Sequence, residues 1–304
     1  MKTNQTRREF FKLSSAGALG LILLGPAACK SAGKVDLKSF GVGLQLYTVR
    51  DAMAADLSGT LQKLSDLGYK NLEMANYSNG LFYGYAPLEF KKMVNDLGMD
   101  LISSHAGVES TGITIENAQK MADAHAEVGV KYCVQPWVNE QDRNIETYKR
   151  MIADWNKVGE IMQGVGIQFG YHNHNFEFAT IDGIVPYYDL YMTELDPKLV
   201  TMELDLFWAT KAGQDPVEMF EKYPGRFKLL HLKDMTLDNA PYYDVIKDDI
   251  TSVGSGLIDF KRILAAKKTA GVEYTFVEDD NQGNGHPFEG VGTSITNLTT
   301  KILV

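Results

Sequence analysis

The chain has 304 residues and is acidic, with 39 Asp and Glu residues against 30 Lys and Arg and a formal net charge of −9. Nucleic-acid binding depends on counterion release by Lys and Arg, and no basic stripe occurs in this sequence, so we expect no nucleic-acid partner. Only two cysteines, Cys29 and Cys133, are present, yet a chain of this length buries enough surface to be stable through its core alone.

The first 28 residues have the features of an export signal. Arg7 and Arg8 are followed by Phe10-Phe11-Lys12, and then by an apolar run over residues 13–24. This run is too short for a transmembrane helix, and small residues follow it at a cleavage site. We therefore predict a twin-arginine signal peptide over residues 1–28 and a linker over residues 29–38.

Cys29 stands at the position where a bacterial lipoprotein is cleaved and acylated. Pro26 lies three residues before it, where Leu is usual, so simple cleavage after Ala28 remains an alternative. Several lipid chains would anchor the protein firmly. We expect an exported protein that is periplasmic or lipid-anchored to the membrane on its periplasmic side. The oligomeric state is not readable from the sequence.

A loose repeat organises the remaining chain. Five helix-like segments end in an apolar residue and a glycine, followed by an apolar residue that begins a strand; the glycines are Gly68, Gly98, Gly129, Gly166 and Gly271. Glycine after a helix adopts the left-handed cap without steric cost. The first spacings, of about 30 residues, match one βα unit. Helical periodicity precedes the caps, as in residues 57–67 and 151–162.

Eight strands are predicted in alternation with these helices. They span residues 41–47, 71–75, 101–105, 131–136, 168–173, 200–206, 228–233 and 274–279, and a last helix spans 293–303. This pattern and size predict an α/β fold, a single (β/α)8 TIM barrel over residues 39–304. A doubly wound open sheet is the alternative, but no glycine-rich phosphate turn follows the first strand.

Polar side chains stand at the ends of four successive predicted strands. They are His172-Asn173-His174, Glu203-Leu204-Asp205, His231-Leu232-Lys233-Asp234 and Glu278-Asp279-Asp280. Residues two apart share a face of a strand, so each segment points two polar side chains the same way. In a TIM barrel these strand ends meet at the active-site face. Imidazoles and carboxylates that converge there are typical of a divalent-metal site.

The chain resembles the sugar phosphate isomerase/epimerase superfamily, the xylose-isomerase-like barrels, and within it the relatives of tagatose epimerase and inosose dehydratase. The similar segments cover the predicted barrel; they are Gly43-Leu44-Gln45-Leu46-Tyr47, Ser104-His105, Tyr171-His172-Asn173-His174, Leu204-Asp205, Leu230-His231-Leu232-Lys233-Asp234 and Val277-Glu278. The resemblance implies one divalent ion held by side chains from strands five to eight. Three ligands carry over directly: Asp205, His231 and Glu278.

The fourth ligand departs from the superfamily pattern. Relatives have Glu on strand five, whereas this chain has His172 and His174, with Glu177 beyond them. We predict His172 as the metal ligand and His174 as a substrate-facing acid or base, although the two could exchange roles. Glu278, Lys233 and Glu177 are the other predicted catalytic residues. Mixed imidazole and carboxylate ligands suit Mn²⁺, Zn²⁺, Co²⁺ or Fe²⁺ better than Mg²⁺.

Several further residues near strand ends are predicted to contact substrate. They are Gln45, Glu73, His105, Trp137 and Trp208. Each has a structural alternative: the polar residues could be hydrogen-bonded within the fold, and the tryptophans could be packed in the core instead of stacking on a sugar. Glu203 could hold a metal ligand in place or form an interior ion pair. His125, in the middle of a helix, is expected at the surface.

These features predict a metal-dependent enzyme that removes a proton next to a carbohydrate carbonyl through an enediolate. Isomerisation or epimerisation of a keto-sugar is our first hypothesis. Elimination from a 3-keto-sugar or 3-keto-glycoside, a lyase or hydratase reaction at the same site, is the alternative, and a non-catalytic sugar-binding barrel is the second. The trinuclear zinc nucleases of the superfamily are excluded, because the His that they require three residues after Asp205 is Trp208 here.

Overall fold

The computed structural model describes residues 37–107, 112–181 and 185–304. The predicted signal peptide, Cys29 and all but the last two residues of the predicted linker lie outside these ranges. Leu37, which the sequence assigned to the linker, is buried in the core, and its carbonyl accepts a hydrogen bond from the amide of Val42 at 2.9 Å.

Eight parallel strands form a closed barrel within the described residues, which confirms the predicted fold. They are β1 (Val42–Gln45), β2 (Asn71–Met74), β3 (Asp100–His105), β4 (Tyr132–Gln135), β5 (Gln168–His172), β6 (Val200–Asp205), β7 (Phe227–Leu232) and β8 (Tyr274–Val277). Each strand pairs with its neighbours in sequence, and β8 pairs with β1. Most strands end one or two residues earlier than predicted, because the chain leaves the sheet there to enter the loops and helices of the upper rim.

Helices surround the barrel. They are α1 (Arg50–Ala55), α2 (Leu57–Leu67), α3 (Pro87–Asp96), α4 (Ile115–Val128), α5 (Ile145–Gly164), α6 (Tyr187–Glu194), α7 (Leu206–Lys211), α8 (Pro216–Lys222), α9 (Phe260–Ala265), α10 (Lys267–Ala270) and α11 (Pro287–Asn297). The five predicted cap glycines all have positive φ, between 71° and 102°. The last helix starts six residues before the predicted boundary, since Pro287 suits its first turn, and it continues into a π-helical turn over Leu298–Ile302.

Short strands and 3₁₀ turns lie in the loops around the barrel. Antiparallel pairs of two-residue strands join Tyr77–Ser78 to Leu81–Phe82, Thr180–Ile181 to Val185–Pro186, and Asp234–Met235 to Ile250–Thr251. The 3₁₀ turns are Leu46–Val49, Glu140–Asp142, Phe176–Phe178 and Gln282–Gly285. In the part of the chain that the structure describes, no helix combines the length and apolarity needed to cross a bilayer.

The barrel interior has two layers of different chemistry. One layer, which we call the lower layer, is an apolar cluster of Ile102, Tyr132, Val134, Leu229 and Phe276. The upper layer, near the carboxyl ends, is made of fully buried charged and imidazole side chains. Strand alternation explains the change, because Leu229 and His231 on β7, and Lys233 just after it, follow one another at intervals of two. The polar layer is where the predicted site lies.

Candidate metal centre

The structure brings the four predicted metal ligands together. His172, Asp205, His231 and Glu278 each offer one nitrogen or oxygen atom, and these four atoms lie within 4.8 Å of one another; we call them the metal group. Nδ1 of His231 lies 2.7 Å from Oε2 of Glu278 and 3.8 Å from Oδ2 of Asp205. The same Oδ2 of Asp205 lies 3.3 Å from Nε2 of His172. Two imidazoles and two carboxylates are a donor set that fits a transition-metal ion.

A second set of side chains lies deeper in the barrel and supports His231. This inner group consists of Glu73, His105, Glu203 and His231. Oε2 of Glu73 accepts a hydrogen bond from Nε2 of His231 at 2.6 Å, while Oε2 of Glu203 lies 2.6 Å from Nε2 of His105 and 3.3 Å from Nε2 of His231. A carboxylate on the far nitrogen of an imidazole ligand fixes its tautomer and orientation. Glu203 thus contacts the ligand His231 and also pairs with His105 inside the barrel, so its contacts are compatible with both of its predicted roles.

The electrostatics of the two groups are set by burial and by close carboxylates. Burial by itself would lower the pKa of His231, but Glu203, Glu278 and Glu73 outweigh it and raise the pKa well above its usual value. Burial also opposes the charge on Glu278, yet Lys233 and His231 hold its pKa well below the ordinary range. The carboxylate of Glu278 therefore stays ionised, and His231 would release the proton on Nδ1 when it binds an ion.

Lys233 lies among the carboxylates of the metal group. Its Nζ is 3.0 Å from Oδ2 of Asp205, 2.9 Å from Oε2 of Glu278 and 3.0 Å from Oδ1 of Asp280. The neighbouring carboxylate of Asp234 is engaged elsewhere, because both its oxygens accept backbone amides of residues 235, 254, 256 and 258. Lys233 is therefore a buried cation that faces the site.

The two histidines of strand five take different positions. His172 belongs to the metal group, whereas His174 stands beyond the end of β5, with its ring centroid 5.1 Å from that of His172. Aromatic rings border His174: the centroid of Trp137 lies at 4.6 Å and that of Trp208 at 5.3 Å. Burial lowers the pKa of His174 well below its usual value, and its Nδ1 has no hydrogen-bond partner among the described residues. Its imidazole is thus neutral and able to accept a proton.

Glu177 lies outside the metal group, and the catalytic role predicted for it stays a prediction. Tyr171 donates a hydrogen bond to its Oε1 at 2.5 Å, and the backbone amide of His174 donates to its Oε2 at 2.9 Å. The side chain is fully buried, and burial raises its pKa to about 7. Glu177 therefore fixes the backbone at His174.

Three of the predicted substrate contacts are enclosed by protein. Trp208 has no exposed surface, so the packed-core reading holds for it. Gln45 is also fully buried, and its amide bridges Oε2 of Glu73 and the backbone amide of Tyr47. Glu73 is occupied with His231. By contrast, His105 packs against the ring of His172 and Trp137 is half-buried beside His174, so both border the site.

The alternation of residues along the strands did not indicate the contacts of three further residues, His125, Lys247 and Arg50. His125 is buried, not at the surface as expected: its Nδ1 bonds the carbonyl of Met121 at 2.7 Å and its Nε2 bonds the hydroxyl of Ser104 at 3.1 Å. Lys247, on the long loop after β7, lies 3.6 Å from Asp280. Arg50 donates to the carbonyl of Asp280 at 3.0 Å. Lys247 and Asp280 lie on loops, which carry no periodic signal, so the sequence did not indicate the last two contacts.

Comparison with known proteins agrees with this geometry. A family model described as xylose isomerase-like TIM barrel matches residues 61–294. A solved sugar phosphate isomerase/epimerase from Parabacteroides distasonis ATCC 8503 is 31% identical, with a TM-score of 0.73 over 90% of this chain and 96% of that one.

Two further similarities are weaker in sequence. An inosose dehydratase from Geobacillus thermodenitrificans (strain NG80-2) is 26% identical over 232 residues, which are 66% of this chain and 76% of the relative. The solved IolI protein with a binding zinc atom shares the fold, at 14% identity and a TM-score of 0.65 over 86% of this chain and 98% of that one. The chain belongs to the xylose isomerase-like TIM barrel family, as its strand-end residues predicted.

Proposed function

We propose that this protein is a divalent-metal-dependent enzyme that removes a proton next to the carbonyl of a keto-sugar, as an isomerase or epimerase. The observation that carries the proposal is the metal group at the carboxyl ends of β5 to β8, with His174 and Lys233 beside it. The similarity of the chain to a sugar phosphate isomerase/epimerase and to inosose dehydratases supports an enzyme that acts on carbohydrates.

His172, Asp205, His231 and Glu278 would hold the ion. A bound divalent ion supplies a Lewis acid that polarises the substrate carbonyl and makes the neighbouring C–H more acidic. The donor set favours Mn²⁺, Zn²⁺, Co²⁺ or Fe²⁺ over Mg²⁺. The zinc atom in the solved IolI protein is consistent with such a site in this fold.

The chain itself supplies the proton chemistry. His174 is neutral at neutral pH because burial lowers its pKa, so its imidazole can take the proton from the α-carbon and return it. Lys233 stays positively charged, because Asp205, Asp280 and Glu278 outweigh burial and raise its pKa well above the usual value. Its ammonium is therefore suited to stabilise the oxyanion that develops on the substrate.

A second candidate reaction is elimination from a 3-keto-sugar or 3-keto-glycoside. The similarity to inosose dehydratases favours it, since their name describes loss of water from an inosose. Both reactions begin with the same proton abstraction, and they differ in whether the proton returns to carbon or a β-substituent leaves. The same residues would serve either outcome.

The test combines metal content with isotope exchange. The purified protein is expected to contain about one divalent ion per chain and to incorporate deuterium at the α-carbon of a keto-sugar in D₂O. Exchange with the glycosidic bond intact supports the epimerase, and release of the aglycone from a keto-glycoside supports the lyase. A protein that binds no divalent ion, and whose melting temperature does not respond to Mn²⁺ or Zn²⁺, would instead be a sugar-binding barrel.

We further propose that the protein is exported and acts outside the cytoplasm. The support is the paired Arg7 and Arg8, the apolar run that follows them, and Cys29 at a lipoprotein position. Cell fractionation of the full chain and of a Cys29→Ala variant tests both parts. Membrane association that the variant loses supports a lipid anchor, and protein retained in the cytoplasm contradicts export.

A further inference from the structure

A cleft opens on the upper rim of the barrel, beside the metal group. It has a volume of about 570 Å³, and its walls come from the residues that follow β1 and β2, from α1, and from the loop after the Leu81–Phe82 strand. We call it the Tyr47 cleft. Its polar and aromatic lining side chains are Tyr47, Arg50, Asn76, Tyr83 and Tyr85. None of the residues proposed above to hold the ion or move the proton lines it.

A chain of contacts links the cleft to the site. Arg50 donates through Nη2 to the backbone carbonyl of Asp280 at 3.0 Å. The carboxylate of Asp280 lies 3.0 Å from Nζ of Lys233, which in turn contacts the metal group. Three contacts, from Arg50 to Asp280, from Asp280 to Lys233 and from Lys233 to Glu278, therefore separate the cleft from the ligands. Both lie at the carboxyl ends of the strands, where a ring at the metal group could extend a substituent into the cleft.

Its walls are shaped before any ligand binds. The hydroxyl of Tyr83 accepts the amide of Ala75 at 3.0 Å, and the ring stacks on Phe90 with centroids 5.0 Å apart. Tyr83 has a left-handed backbone with φ of 53°, which is unfavourable for a tyrosine and often marks a functional segment. Tyr47 is 36% exposed, and the guanidinium of Arg50 lies 4.0 Å from the centre of its ring.

The charges of the lining select the kind of ligand. Among the described residues that line the cleft there is no carboxylate, and Arg50 is the one charged side chain. Two of its nitrogens already donate to the carbonyls of Tyr47 and Asp280. A phosphate group needs several cationic donors, whereas a neutral sugar ring needs aromatic surface with a few polar groups at its edge. The tyrosine rings, Arg50 and Asn76 match the sugar ring.

We propose that the Tyr47 cleft binds a second, neutral sugar ring, so that the substrate is a keto-disaccharide or another keto-glycoside and not a free monosaccharide. This inference rests on the proposed function, because it assumes that the first ring reacts at the metal group. The cleft volume lies within the range of small-molecule sites and leaves room for one pyranose ring.

The experiment compares metal-loaded protein with a keto-disaccharide and with the matching keto-monosaccharide. We expect kcat/KM for deuterium exchange or cleavage to be about tenfold higher for the disaccharide, the size of a favourable ring contact. Tyr47→Ala should bring the ratio close to one. Ala54→Trp, which would fill the cleft from α1, should likewise bring the disaccharide-to-monosaccharide ratio close to one. Tyr243→Ala, at a tyrosine with 41% exposure outside the cleft, should keep the wild-type ratio.

The outcomes separate this inference from the proposed function. If the wild type turns over both sugars with a kcat/KM ratio near one, the second-ring site is overturned, whereas the proposed enzymatic function stands. A preference for the monosaccharide phosphate over the disaccharide overturns the choice of a neutral ring. If no sugar reacts, calorimetry with a reduced, unreactive disaccharide still tests the cleft. Binding that Tyr47→Ala weakens about tenfold supports it, and binding that the variant leaves unchanged contradicts it.

Discussion

The lower and upper layers of the barrel interior are built from the same strands but by opposite chemistry. Below, Ile102, Tyr132, Val134, Leu229 and Phe276 fill the barrel with apolar surface, and burial alone stabilises them. Above, charged groups are just as buried, and an isolated buried charge would be strongly destabilising. Each therefore depends on a partner of opposite charge or on a bound ion.

This difference separates stability from function. The lower layer can close the barrel without any specific contact beyond shape. The upper layer contains Glu73, Glu203, Asp205 and Glu278 around His231 and Lys233, so several carboxylates compete for few cations. A divalent ion would relieve that excess of negative charge. The comparison predicts that substitutions in the lower layer lower the free energy of unfolding. Substitutions in the upper layer should change metal binding and activity.

The largest expected effect is on the metal group. Asp205→Asn keeps the oxygen that caps α7 through the amide of Trp208, but it removes the negative charge. We expect the bound metal to fall below a tenth of an ion per chain and turnover to fall about a thousandfold, since a Lewis-acid ion contributes several kcal/mol. Metal analysis and deuterium exchange measure both. The control Asp189→Asn, at a half-buried aspartate on α6 outside the metal group, should retain metal and activity. Full metal content in Asp205→Asn would contradict the assignment.

A variant of the lower layer should show the reverse behaviour. Leu229→Ala leaves a cavity among fully buried neighbours, so the free energy of unfolding should fall by about 2–5 kcal/mol. Chemical denaturation measures this loss, and the folded fraction should still bind its ion. Leu237→Ala, at an exposed position, serves as the control. Loss of metal from folded Leu229→Ala protein would show that the two layers are not independent.

His125 allows a test of a buried polar group that lies outside both layers. Burial lowers its pKa from 6.5 to about 4, so its contribution to stability is complete above pH 6.5 and is lost as the pH falls through 4. Over that window the wild type should lose up to about 3 kcal/mol more stability than His125→Gln. Urea unfolding between pH 7 and pH 4 gives the difference. His286→Gln, at an exposed histidine, should follow the wild type.

The smallest effect is expected from the support beneath the metal group. Glu73→Gln removes the charge that accepts the hydrogen bond from Nε2 of His231. Metal affinity should weaken about tenfold to a hundredfold, as for other partners of imidazole ligands. Competition with a chelator measures the dissociation constant. Glu289→Gln, on the exposed face of α11, is the matched control, and equal affinity in both variants would reduce Glu73 to a packing role.

Local pattern predicted much of this molecule. Helix caps such as Gly68 and Gly129, apolar strands and polar strand ends are properties of consecutive residues, so they identified the barrel and the rim where Asp205, His231 and Glu278 meet. Contacts through loops, or across the barrel between distant residues, have no such signature. The pairing of Lys233 with Asp280 and the position of Lys247 became visible only in the fold.

The sequence by itself determined the (β/α)8 architecture and the residue types at the site, because periodicity and chain order suffice to set strand direction and strand ends. Only the tertiary structure decided which polar residues face which neighbours. It assigned His172 and His174 to different surroundings, enclosed Trp208 and Gln45, and turned Glu177 towards Tyr171. The physical reason is that side-chain direction beyond a strand end depends on loop path and packing, which a period of two residues does not encode.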